Sequence, residues 1–265
     1  METTQLITSL VTSTIILLTG CASDNSDKEK IREFDDLAGK KIVVQEGTIY
    51  DEELTRNYPS YDITRVPSIF DIYKALVNGE ADYGIDEDIT ASAFLSSGLS
   101  IDTAYANIPA EPLGAIFNKS NTTLQKQFND FIDKINGTGE LAKIKDKWFN
   151  TASPSSLPIP ECTVTTGVPF TVITEGDYPP FNFSIGNKIS GFEAELITMF
   201  ANSIQRPVKM IVMPFSDIID NIAQGKHDMG ISGITINDER ASKVLFSKPY
   251  SNTYTIIVRI KKNDY

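Results

Sequence analysis

A two-lobed α/β fold is predicted by three features of the sequence. Strand-like and helix-like segments alternate from Leu37 onward, a Pro- and Ser-rich stretch divides that alternation, and both parts repeat one helix-to-strand device. The device is an amphipathic helix ending in a Gly-containing sequence closed by Asp. It reads Asn78-Gly79-Glu80-Ala81-Asp82 in the first part and Gln224-Gly225-Lys226-His227-Asp228 in the second. At 265 residues and 41% hydrophobic, the chain is long enough to bury a core in each part.

The elements follow from local pattern. Lys41-Ile42-Val43-Val44 is a β-branched strand ending at Gln45-Glu46-Gly47-Thr48, and a helix is expected from Tyr50 to Asn57. Asp62 to Val66 is a second strand. Ser68 then caps a helix that places Ile69, Ile72, Tyr73 and Leu76 on one face. A strand at Tyr83-Gly84-Ile85, a helix from Thr90 to Leu95 and a strand from Pro112 to Phe117 come next. Two helices, Leu124 to Ile135 and Gly139 to Phe149, are parted at Asn136-Gly137. Thr151 to Pro160, with Pro154, Pro158 and Pro160, is the linker.

Beyond it the pattern resumes. Strands are expected at Phe170 to Ile173, Val208 to Val212, Met229 to Ile231 and Tyr254 to Ile260, with helices at Glu193 to Ile204 and Ser216 to Gln224.

Composition removes several function classes. A net charge of -11 and a pI near 4.6, with Lys and Arg scattered among acids, disfavour nucleic acid as a partner. One His and two Cys leave little for a transition-metal site, and no cofactor motif is present. The apolar stretch from Leu6 to Gly20 is short and rich in Thr and Ser, which suits a signal sequence better than a membrane span. Leu18-Thr19-Gly20-Cys21 resembles the lipobox of bacterial lipoproteins, so Cys21 is the expected lipidation site and the polar residues after it a tether. The n-region carries Glu2 and no Lys or Arg, which leaves a misassigned start or an uncleaved anchor as alternatives. Cys162 is then a solitary thiol.

Two blocks of motifs carry a family resemblance. Asp177-Tyr178-Pro179-Pro180-Phe181, Gly191-Phe192-Glu193, Gly225-Lys226-His227-Asp228, Gly233-Ile234-Thr235 through Arg240, and Phe246-Ser247-Lys248-Pro249-Tyr250 occur in that order. From Phe170 to Ile260 the chain thereby resembles the first lobe of the family 3 periplasmic solute-binding proteins, which bind polar amino acids for ABC importers. From Phe34 to Phe149 it resembles the rest of that family, through Leu37-Ala38-Gly39-Lys40-Lys41, Gln45-Glu46-Gly47-Thr48, the Ala75 to Asp82 stretch, Gly114-Ala115-Ile116 and the Gly139 to Phe149 ending. The blocks stand in the reverse of the family order. Circular permutation accounts for this, with a fragment of tandem domains as the rival.

The resemblance implies a two-lobed periplasmic-binding-protein-like fold of type II, circularly permuted. Residues 1–20 would be the signal peptide, 21–33 the tether, 34–119 second-lobe-like, 120–150 a helical pair packing on the first lobe, 151–163 the linker, and 164–265 first-lobe-like, ending in a hinge strand. The hinge itself is expected at Leu113 to Phe117 and Thr255 to Arg259.

An amino-acid ligand needs a cationic fork for its carboxylate and an acid for its ammonium. An Arg is ordinarily a solvated surface charge, but within its motif Arg240 matches the residue that grips the α-carboxylate. Ser232, Gly233 and Thr235 lie at the carboxyl end of a strand, where open α/β sheets place ligands, and Gly47-Thr48 occupies the equivalent turn in the other lobe. Tyr178 and Phe215 match positions whose rings sandwich the ligand side chain. The ammonium acid falls at Glu87, where the family usually has Asp; Asp86 and Asp88 remain alternatives, and clustered acids are more often a solvated loop. Glu175 is a further acid near the cleft, and the excess of carboxylates favours a polar or basic amino acid.

The resemblance thus implies a monomeric lipoprotein on the extracytoplasmic face of a bacterial membrane, serving an ABC permease. A sensory module acting through a partner chain and a dehydratase-like enzyme are the other classes this fold admits.

Overall fold

The computed structural model describes residues 31, 33–105 and 110–261. The signal peptide, Cys21 and nearly all of the expected tether lie outside the described residues.

In the first half the elements are β1 (Lys41–Gln45), α1 (Ile49–Asn57), β2 (Asp62–Val66), α2 (Ile69–Val77), β3 (Tyr83–Glu87), α3 (Asp88–Ser96), β4 (Ile101–Tyr105), β5 (Glu111–Leu113), β6 (Ile116–Phe117), α4 (Thr122–Gly137) and α5 (Glu140–Phe149). The second half contributes β7 (Phe170–Thr174), β8 (Asp177–Tyr178), β9 (Asn182–Ile185), β10 (Lys188–Ser190), α6 (Phe192–Ser203), β11 (Val208–Val212), α7 (Phe215–Ala223), β12 (Met229–Gly230), α8 (Asp238–Lys243), β13 (Leu245–Phe246), β14 (Ser251–Thr253) and β15 (Thr255–Ile260). Local chemistry sets several boundaries. The Thr48 hydroxyl accepts from Asp51 N at 3.3 Å to start α1, and Ser68 does the same for Asp71 N at 3.2 Å to start α2. The break between α4 and α5 comes at Gly139, whose φ of 73° is left-handed, rather than at Asn136-Gly137.

Two five-stranded sheets form the lobes. One runs β2-β1-β3-β15-β4 and the other β11-β7-β12-β6-β13. Their plans match: β1, β2 and β3 pair in parallel, as do β7, β11 and β12, and an antiparallel strand follows each trio. That strand always comes from the other half of the chain. β15 pairs with β3 and β4 in the second lobe, and β6 pairs with β12 and β13 in the first. Between the lobes β5 and β14 pair antiparallel, Glu111 opposite Thr253 and Leu113 opposite Ser251.

This pairing sets the crossovers apart from most of the stretch expected to form the hinge. The chain crosses at β5 and β14, whereas Ile116–Phe117 and Thr255–Ile260 are already inside their sheets. The single strand expected from Pro112 to Phe117 is split at Gly114-Ala115; Gly114 lies against Ile236 and Phe246, and a Cβ there would come within 2.9 Å of Ile236 Cδ1. β4, the short sheet β8 to β10, β13, β14 and α8 are additions to the expected elements.

The central strands are buried along nearly their whole length, because helices cover both faces of each sheet and successive side chains point to opposite faces. Ile42 and Val44 pack with Leu54 of α1 on one face of the second-lobe sheet, and Val43 packs with Ile72 and Leu76 of α2 on the other. In the first lobe α4 and α5 join α6 over an aromatic core in which Phe128 and Phe200 meet edge-on at 5.0 Å between ring centres. Fully buried Phe128 is the sharpest test of that core. Phe128→Ala is expected to lower unfolding free energy by about 3–5 kcal/mol, measured by urea denaturation.

Candidate functional site

The carboxyl ends of β1 and β3 in the second lobe face those of β7 and β12 in the first, and the turns beyond them line one cleft. Arg240, Thr235, Gly233, Ser232, Tyr178, Phe215 and Glu175 enter it from the first lobe, and Thr48 and Glu87 from the second. Gly47 sits one step behind, its carbonyl accepting from Arg240 Nη2 at 3.0 Å. The residues singled out in the sequence are therefore brought together. The free space is about 30 Å³, room for about one water.

Arg240 is held in place by the short helix α8. Asn237 caps it, its Oδ1 accepting from Arg240 N at 2.8 Å, and the guanidinium lies 5.8 Å over the Phe215 ring. The residue is 2% exposed, yet its Nε has no hydrogen-bond partner among the described residues. Nη1 reaches the Thr235 carbonyl only at 3.5 Å, whereas Nη2 also donates to Glu52 Oε1 at 3.2 Å.

The opposite wall is acidic. Of the three acids that the sequence leaves open, Asp86 turns to the Tyr73 hydroxyl, Asp88 accepts from Tyr254 N at 3.1 Å, and Glu87 faces the other lobe. Tyr50 donates to Glu87 Oε1 at 3.4 Å and Tyr178 donates to Oε2 across the cleft. The commoner reading of such a cluster as a solvated loop does not hold here, because Asp86 and Glu87 are buried. Glu175 accepts from Gln45 Nε2, a second contact between the lobes.

Burial pushes these carboxyl groups upward. Asp86 rises to about 7 through desolvation, against the Tyr73 hydrogen bond. Glu87 rises well above the ordinary carboxylate range through burial and then the charges of Asp86 and Glu111. Glu175 rises through burial and then Asp177. Glu111, on β5, is lifted to about 7 by burial, opposed by the Thr235 hydroxyl and Arg240.

A buried support lies beneath. Glu193, in the first turn of α6, accepts from Gly233 N at 2.8 Å, from Asn182 Nδ2 at 2.6 Å and from the Tyr250 hydroxyl. It fixes the turn at Gly233, whose φ is +57° and where a Cβ would stand 2.6 Å from Tyr178 Cε1. Gln45, Tyr50, Glu52, Glu111, Asn182 and Glu193 were missed as site residues. Glu193 had one legible signal, a charge among the apolar residues of a buried helix face. Among the described residues no group of His, Cys, Asp and Glu is arranged to hold a metal ion.

Two matching sheets joined by paired crossovers, with polar strand ends turned to a shared cleft, define a two-lobed α/β binding protein. The chain belongs to the bacterial extracellular solute-binding proteins, family 3, which it matches over residues 1–151 and 170–265. It is similar to a probable histidine-binding protein of Campylobacter jejuni subsp. jejuni, 33% identical over 91 residues, covering 34% of this chain and 36% of the relative. An arginine-binding periplasmic protein of Mannheimia haemolytica is 28% identical over 105 residues, 39% of this chain and 44% of that one. Among solved structures, an ancestral arginine-binding protein bound to arginine is 38% identical over 31% of this chain and 37% of its own, with a TM-score of 0.30. Each match spans less than half the length of these relatives.

The raised carboxyls give the protein a pH signature. Asp86 and Glu111 hold protons more tightly folded than unfolded, so their stabilisation is complete below their ordinary values of 3.8 and 4.5 and is lost as pH rises through about 7. The melting temperature of the unliganded protein is therefore expected to fall across that window. Asp86→Asn should flatten the fall, as read by calorimetry at a series of pH values.

Proposed function

We propose that this protein captures an amino acid between its lobes and delivers it to an ABC importer, with polar or basic side chains preferred. The observation that carries this reading is Arg240, a buried guanidinium whose Nε is unpartnered among the described residues, facing Glu87 and Asp86 of the other lobe, with Glu175 on its own lobe. A cation on one wall and acids on the other match the two charged ends of an amino acid. In this reading the α-carboxylate takes Arg240 with the Thr235 hydroxyl and the amides near Gly233 and Gly47-Thr48, and the ammonium takes Glu87. Tyr178 and Phe215 flank the side chain, with Glu175 at its far side. A second positive charge on the ligand offsets the surplus of carboxylates.

A small-molecule site needs at least about 300 Å³, so the lobes must part before a ligand enters the present 30 Å³. The paired crossovers β5 and β14 are the natural hinge. The reading is of a carrier, not an enzyme: Asp86, Glu87 and Glu175 are each engaged by a Tyr or Gln donor, and among the described residues no nucleophile stands paired with a base. It includes lipidation at Cys21, a place on the extracytoplasmic face of the membrane, a monomeric state and docking on a permease.

We further propose that the chain is a circular permutant. In support, each sheet takes its antiparallel strand from the other half of the chain, and the stretch 151–163 joins α5 to β7 within a single lobe. Thr163 N is held by Asn202 Oδ1 at 2.9 Å, which ties that stretch to α6.

Titration calorimetry against the standard amino acids tests the function. Arg240→Ala, its fold verified by circular dichroism, is expected to weaken the bound amino acid by at least about thirtyfold. Unchanged affinity would sink the site assignment.

A further inference from the structure

The carboxylate fork of Arg240 is already in use. Both bidentate faces of a guanidinium, the end-on pair Nη1/Nη2 and the side-on pair Nε/Nη2, require Nη2. Here Nη2 has two acceptors, the Gly47 carbonyl at 3.0 Å and Glu52 Oε1 at 3.2 Å. Neither fork can take a ligand carboxylate until one of them leaves.

The two differ in freedom. Gly47 O is backbone in a turn that approaches the other lobe so closely that a Cβ at Gly47 would meet Ser216 Cα at 2.9 Å. Glu52 is a side chain in the first turn of α1, whose buried residues are its neighbours Tyr50, Asp51 and Leu54. Its side chain is 30% exposed against 3% for that of Arg240. It can swing to water while Arg240 stays.

We propose that Glu52 is an internal competitor for the ligand carboxylate and thereby a specificity-determining residue of the cleft. Resting on the amino-acid reading above, this assigns Glu52 two effects. A zwitterion must displace it, which weakens amino-acid binding. An amine lacking a carboxylate leaves it in place, where it neutralises Arg240 and so admits the amine. Glu52 thus lowers the preference for amino acids over the corresponding amines. Because Glu52 and Arg240 come from opposite lobes, the same contact also holds the unliganded lobes together.

The test compares L-arginine with agmatine, the same side chain without the carboxylate, by calorimetry on the full chain. Glu52→Gln is expected to tighten L-arginine about five- to tenfold, the scale of one partly exposed charge-assisted contact, and to weaken agmatine. Glu53→Gln removes the same charge one residue on, where the carboxylate bonds Asn57, and should leave the ratio of the two affinities unchanged. An unchanged or weaker affinity for L-arginine in Glu52→Gln, or an equal shift in Glu53→Gln, overturns the proposal.

A readout without ligand separates this from a failure of the amino-acid reading. Small-angle scattering of the unliganded Glu52→Gln protein should give a larger radius of gyration than wild type. If wild type binds no amino acid, the functional reading fails, and the scattering alone decides on Glu52: no expansion rejects its role.

Discussion

Strand exchange between the two halves is the constraint on which the rest depends. A buried strand must satisfy its backbone groups on both sides, and neither half can do so alone. Without β15 the inner edges of β3 and β4 would lose their ladders, and without β6 so would those of β12 and β13. The exchange fixes where the chain crosses and thus where β5 and β14 pair. It also turns the carboxyl ends of both parallel trios toward a common gap. The cleft is therefore a product of topology before any side chain enters it, and the side chains decide only what it holds.

How much of this was legible follows from the range of the forces involved. Elements made by local pattern were visible: the β-branched run at β1, the Ser68 cap and apolar face of α2, and the strand Val208–Val212. β13 and β14 were not, because two or three residues such as Leu245–Phe246 become strand only through partners over a hundred residues away. The site behaved in the same way. Arg240 was legible through its motif, although α8, which carries it, is too short to show periodicity. The motif spacing favoured Glu87 but left Asp86 and Asp88 open, since the three straddle the junction of β3 and α3 and each turns in a different direction there. Glu52 gave no signal, being one of several acids on an ordinary helical surface until the opposite lobe is brought against it.

The division of labour between apolar and polar contacts explains how such a cleft can work reversibly. The large buried apolar clusters lie within the lobes, over the two faces of each sheet, with Ile89 of α3 packing across onto that of the first lobe. Across the cleft the contacts are hydrogen bonds and ion pairs: Tyr178 with Glu87, Gln45 with Glu175, Arg240 with Gly47 and Glu52, and the exposed pair Arg56 and Glu239 at 2.8 Å. An apolar seam would lose its burial energy on opening with nothing to replace it. Polar partners exchange one another for water or for a ligand at little net cost.

That exchange also ties the protonation of the cleft to its occupancy. Glu87 and Glu175 sit above their ordinary pKa because burial in the closed cleft disfavours the charge. Opening hydrates them, and a bound ammonium would reward the ionised form, so both changes favour the same loss of protons. In the closed cleft burial favours the protonated form of these acids, and Arg240 takes a carboxylate, that of Glu52, from the opposite lobe. Under the proposed function a zwitterion would take the place of each of these partners. On that reading ligand entry draws the buried carboxyl groups toward their ionised form, which is what a site for an ammonium group requires.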